Sequence, residues 1–141
     1  MRHRVKGKKL SRSTHQRQAL FKSLIQSLII NEQIKTTKAK AKVVKRLMDK
    51  LIVQAKKGSL SSRRQSLAFL VNKKAVHKLF DDIALRVKDR TSGFTRLIAI
   101  GKRRGDNALM AKLELVDLPR VDEATQVKAG KPTPKEKTKK S

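Results

Sequence analysis

Leu20-Phe21-Lys22-Ser23-Leu24-Ile25-Gln26-Ser27-Leu28-Ile29-Ile30-Asn31-Glu32-Gln33-Ile34-Lys35-Thr36-Thr37 carries two hydrophobic periods back to back. Leu20, Phe21, Leu24, Ile25, Leu28 and Ile29 recur at the three- and four-residue steps that put side chains on one face of a helix. Burying six such side chains contributes about 1.5 to 3 kcal/mol each before the entropy of ordering is subtracted, so this helix must sit at the centre of a domain. Asn31 and Glu32 break the pattern, and Gln33–Thr37 is a short polar, partly β-branched piece that reads as a strand or an extended connector. Upstream, Ser13 or Thr14 offers the side-chain oxygen that satisfies the free amides of a first helical turn, which predicts a helix up to about residue 30.

Toward the N-terminus the pattern dissolves. Residues 1–12 hold Arg2, Arg4, Lys6, Lys8, Lys9 and Arg12 with no acid, and Val5 and Leu10 stand alone, so they predict an extended basic arm that Arg17 continues onto the helix. Toward the C-terminus a second helix is predicted over residues 38–57. Val44, Leu47, Met48, Leu51, Ile52 and Ala55 form its buried face; Lys38, Lys42, Lys45 or Arg46, and Lys56 point away, and Gly58 stops it. Any one lysine on that helix reads as a solvated charge more readily than as a contact. Ser62-Arg63-Arg64-Gln65 matches a capping box ahead of Leu67, Ala68, Leu70 and Val71, which predicts a short third helix. Asn72 ends that helix and caps a fourth, whose apolar face is Val76, Leu79, Phe80, Ile83, Ala84 and Val87.

After Val87 the period changes from helical to alternating. Residues 94–100 are β-branched and aliphatic, and residues 109–116 place Ala111, Leu113 and Leu115 inward with Lys112 and Glu114 outward. These two runs predict a hairpin, joined by a basic loop over residues 101–108 that is longer than a minimal turn. Residues 118–141 lose large apolar side chains to Pro, Gly, Thr, Lys and Glu and predict a disordered basic tail. The expected organisation is an arm (1–12), one α+β domain of about four helices on a small sheet (13–117), and the tail (118–141).

The chain has 141 residues, which suits one domain with tails, and its 3% of aromatics with neither Trp nor Tyr requires an aliphatic core. Its 37 Lys and Arg against 11 Asp and Glu give a formal net charge of +26, a balance that points to a polyphosphate partner. Zero cysteines exclude disulfides and cysteine-based zinc sites. The N-terminus is charged from Arg2 and lacks the apolar run of a secretory signal, and no stretch approaches the roughly 18 apolar residues of a membrane span.

Catalytic chemistry finds no constellation. His3, His15 and His77 share no metal-ligand spacing, and Asp81 and Asp82 are adjacent on a helix, so they diverge and read as a solvated face offsetting nearby lysines. Gly101 and Gly105 lie between strands, without the Lys-Ser/Thr pair or the following helix of a nucleotide-binding loop. Phe21, Phe69, Phe80 and Phe94 mostly fall on core faces and are better spent there than on bases, and no aromatic stacking sheet is visible. Cations spread over arm, second helix, hairpin loop and tail therefore suit backbone and shape recognition of a large folded RNA. Two other readings of the charge are a nucleoid-type protein that coats duplex DNA and a membrane-surface protein with a basic amphipathic helix.

Met1-Arg2-His3-Arg4, Arg17-Gln18-Ala19, Ile34-Lys35-Thr36-Thr37 with Lys40-Ala41-Lys42, Gly93-Phe94-Thr95-Arg96, and Gly105-Asp106-Asn107-Ala108 with Met110-Ala111 and Glu114-Leu115-Val116 follow one another in order. Together they resemble the bacterial-type large-subunit ribosomal protein seventeen family over about residues 1–117. The resemblance implies a three-stranded sheet covered by helices. It also implies a non-enzymatic, cofactor-free structural role in the cytoplasmic ribosome, on 23S-type rRNA near the outlet of the nascent-chain tunnel. Large-subunit rRNA and neighbouring large-subunit proteins are then the expected partners, with no membrane and no small-molecule substrate. The residues expected to meet RNA are Arg2, His3, Arg4, Lys6, Lys8, Lys9, Arg12 and Arg17 on the arm side, Lys35, Thr36 and Thr37 in the middle, and Arg96, Lys102, Arg103 and Arg104 on the hairpin.

Overall fold

A computed structural model describes residues 7–116 of the chain; the expected tail and the start of the arm lie outside them. The first helix, α1 (Thr14–Asn31), opens on a reciprocal capping box in which the Ser13 hydroxyl accepts from the Gln16 amide and the Gln16 side chain accepts from the Ser13 amide. Ile25, Leu28 and Ile29 are buried, Phe21 and Leu24 pack against them, and the N-terminal half of the helix is largely exposed. Glu32 follows in a left-handed conformation, φ 61°, and turns the chain directly into β1 (Gln33–Thr37). The strand reading of that piece holds.

The second helix, α2 (Lys38–Lys56), begins without a break after β1 and lies against all three strands as well as α1 and α3. Its buried face is Ala41, Val44, Met48, Leu51, Ile52 and Ala55, with Leu47 partly covered. Gly58 at φ +64° supplies the left-handed residue that closes the helix, and its amide reaches the Ala55 carbonyl at 3.0 Å. The third helix, α3 (Leu60–Leu70), starts earlier than its capping-box pattern predicts: Ser59 is the cap, accepting from the Ser62 amide. Ser62 is instead buried, with its hydroxyl 2.9 Å from that of Ser59. Val71 does not join the core face either. It ends the helix at φ 64° and is 68% exposed, because the reversal toward Asn72 throws its side chain outward.

Asn72 caps α4 (Lys73–His77) as expected, accepting from the amides of Lys74 and Ala75. The helix then widens into a π-helical stretch (Lys78–Ile83) before a final turn, α5 (Ala84–Arg86). The wider bonding, seen in the Ala84 amide reaching the Leu79 carbonyl, lets Leu79, Phe80, Ile83 and Ala84 all face the core.

The sheet has the order β1-β3-β2 and is antiparallel throughout, with β2 (Thr95–Lys102) and β3 (Leu109–Leu115) forming the hairpin. The middle strand is thus the last in sequence, and β1 reaches it across most of the domain. Ile34 and Thr36 align with Leu113 and Ala111 on the face covered by helices, while Lys35 aligns with Lys112 on the open face. The first strand of the hairpin runs two residues further than its composition suggests, while the second begins at Leu109 as expected, so the connection shortens to residues 103–108. A β-bulge between Ala99 and Gly101 absorbs Ile100 as the extra residue, and it shifts the alternation by one. Lys102 therefore stands opposite Leu109, in register with the helix-facing positions, instead of continuing the outer row of Arg96 and Ile98.

Candidate RNA-binding surface

Acidic residues decide which cations are available. Glu32, 8% exposed, receives Arg86 through two hydrogen bonds of 2.9 and 3.1 Å, and Lys78 lies 2.8 Å from the same carboxylate. Arg86 also meets Asp82 at 2.8 Å. Burial pushes the Glu32 carboxyl up, but the Arg86 and Lys78 hydrogen bonds and charges outweigh it and hold the group below the usual carboxylate range. Asp81 holds Arg63 at 2.7 Å and approaches His77 at 3.3 Å. The adjacent aspartates therefore do diverge, but their partners are chiefly arginines on defined elements and not the surrounding lysines.

The hairpin is divided in the same way. Arg103 grips Asp106 in a fork of 3.0 and 2.5 Å, and that pair, with the Ala108 amide, lowers the Asp106 carboxyl to about 2. Arg103 thereby shapes the connection. Arg96 lies 3.9 Å from Glu114, which also holds Lys112 at 2.8 Å. Glu114 is outward-facing as expected, yet only 8% exposed, because these two cations cover it. Lys102 and Arg104 are exposed and hold no acid among the described residues. On β1, Lys35 is exposed on the open face, Thr36 is 8% exposed and turned toward the helices, and Thr37 is half-buried at the start of α2.

On the arm side, Arg2, His3, Arg4 and Lys6 lie outside the described residues. Lys8, Lys9 and Arg12 are exposed, and Arg17, half-buried, donates to the Arg12 carbonyl at 3.3 Å. The arm does not run straight into α1. The Arg12 amide reaches the Lys9 carbonyl at 3.3 Å around Leu10 and Ser11, whose φ values of 54° and 51° are those of a type I′ turn. Such a turn favours Asn and Gly, and a left-handed leucine costs roughly 1 to 2 kcal/mol.

Composition did not single out the strongest basic array. Lys38, Lys42, Arg46 and Lys50 recur at every fourth residue of α2, and none holds an acid among the described residues. Lys42 and Lys8 line two adjoining grooves. One extends along α2 past Val43, Arg46 and Leu47 to Lys50; the other runs to Thr37, Lys38 and the hairpin's Leu109. The four-residue spacing was visible in the sequence, but the arm and hairpin tip that wall the array are brought to it only by folding. No group of three or more His, Asp or Glu residues among those described converges as a metal site, and no described helix is long and apolar enough to cross a membrane.

The family model for ribosomal protein L17 matches residues 20–116, from the buried part of α1 to the end of β3. The large ribosomal subunit protein bL17 of Hyphomonas neptunium is 50% identical over 117 residues, covering 83% of this chain and 84% of the relative. That of Thermodesulfovibrio yellowstonii is 50% identical over 117 residues, covering 83% and 88%, and that of Desulfotalea psychrophila 47% identical over 116 residues, covering 82% and 90%. The acid-held helices, the bulged hairpin and the whole cationic stripe on α2 lie within the matched span, and the chain belongs to the ribosomal protein L17 family.

Proposed function

We propose that this protein, a structural and non-enzymatic component of the large ribosomal subunit by its family, works by neutralising the backbone phosphates of folded 23S-type rRNA. The observation that carries this reading is the split among its cations: those paired with acids lock the fold, while Lys8, Lys9, Lys38, Lys42, Arg46, Lys50, Lys102 and Arg104 hold no acid among the described residues. Phosphate contact fixes position without reading bases, which suits a surface whose phenylalanines Phe80 and Phe94 are buried in the core. The resemblance of the arm and hairpin motifs adds a position near the outlet of the nascent-chain tunnel, beside neighbouring large-subunit proteins in the cytoplasm. Sucrose-gradient fractionation of cell extract after a high-salt wash tests the assignment: the protein is expected to sediment with large subunits. Release into the free pool, or sedimentation with DNA, would overturn it.

A further inference from the structure

We propose that the groove between the arm and α2 is a track for a single sugar–phosphate strand, with Lys8 on one wall and Lys38, Lys42, Arg46 and Lys50 along the other. This inference rests on the RNA reading above and specifies where and how one strand is held. Successive cations of the stripe are separated by about 6 Å of rise and about 40° of rotation, so the row winds slowly along the helix for about 18 Å. It therefore follows one strand and does not concentrate charge at a point.

Three further observations converge on the same groove. Its floor between the cations is aliphatic, Val43 and Leu47, so sugars can pack there while bases find neither an aromatic face to stack on nor a carboxylate to read them. The bulge at Ala99 and Gly101 puts Lys102 in register with Leu109, which lines the hairpin end of the groove. The Lys9–Arg12 turn reverses the chain between Lys8 and α1. That turn is built on Leu10 and Ser11 in a conformation neither favours, so the arm wall is strained in the free protein and a bound strand helps to hold it.

The test uses the full chain and measures binding of a single-stranded oligouridine and of an RNA duplex of equal length by fluorescence anisotropy across a salt series. Lys42→Ala with Arg46→Ala is expected to weaken oligouridine binding about tenfold and to make the log affinity against log salt slope shallower by about 1.4, from about 0.7 per lost single-strand contact. Lys73→Ala with Lys74→Ala, exposed cations at the start of α4, should leave both quantities unchanged. Leu10→Asn with Ser11→Gly, which suits the turn, should tighten binding several-fold. Equal losses from the two double-alanine variants, preference for the duplex, or no tightening by the turn variant would overturn the track while leaving RNA binding itself intact. A wild-type chain that binds neither RNA at any salt would overturn the RNA reading and the track together.

Discussion

Arg86 and Arg46 both sit on the helical layer, yet they live in different electrostatic worlds. Arg86 is clasped by Glu32 and Asp82 at 2.8 to 3.1 Å and joins the end of α5 to the α1–β1 junction, residues far apart in the chain. Arg46 is exposed on α2 in a row of cations that hold no acid among the described residues. The difference teaches how a chain of net charge +26 folds: Glu32 and Asp81 pin elements that are distant in the chain, and Lys38, Lys42, Arg46 and Lys50 are left without an acid among the described residues. Self-repulsion along α2 is the cost of that arrangement, and the phosphate binding proposed above would relieve it.

The sharpest way to break this division is to truncate one arginine from each side. Arg86→Ala leaves the Glu32 carboxylate, 8% exposed, with Lys78 as its remaining cation partner. It should cost about 2 kcal/mol at neutral pH in urea unfolding, as for hydrogen bonds to a charged group, because Arg86 is partly exposed and Lys78 stays on the carboxylate. Arg46→Ala should stay within about 0.5 kcal/mol, as for a surface substitution. Comparable losses from the two would show that the acids do not sort the cations into structural and available sets.

A smaller effect separates charge pairing from the core. The Ser66 hydroxyl is fully buried on α3 and has no hydrogen-bond partner among the described residues, so Ser66→Ala should stabilise the domain by about 1 kcal/mol in thermal unfolding. A loss of stability there would place an unrecognised polar contact in the core.

The smallest effect is in the acid limb of the stability profile. Because the folded-state pKa of Glu32 is depressed, its contribution is present above the ordinary carboxylate value of about 4.5 and is lost as pH falls through the folded value. Glu32→Gln should therefore flatten the decline below about pH 4.5 relative to wild type. An unchanged acid limb would mean that Glu32 does not carry the pinning charge.

The elements were legible because their signals are local. The stripe of Ile25, Leu28 and Ile29, the glycine stop at Gly58, the Asn72 cap and the alternation of Ala111, Leu113 and Leu115 each declare themselves within a few residues. Errors arose where two local signals competed. Ser59 and Ser62 both suit a helix start, and packing settled the matter by burying Ser62. Val71 has the right composition for a core position, but the left-handed turn beneath it points it at solvent. The π-helical widening at Lys78–Ile83 had no recognised local signature, whereas Gly101 was a usable hint of the bulge.

By itself the sequence determined an α+β domain with an aliphatic core and a strongly basic balance, because periodicity, aromatic content and net charge belong to the chain however it folds. The tertiary structure alone decided that β3 lies between β1 and β2, that Glu32 takes Arg86 and Lys78, and that Lys102 turns to the same side as Leu109. Those outcomes depend on contacts between distant residues and on a one-residue shift in register. No local pattern assigns a carboxylate to one cation among many, and that assignment is what leaves Lys38, Lys42, Arg46 and Lys50 without an acid among the described residues.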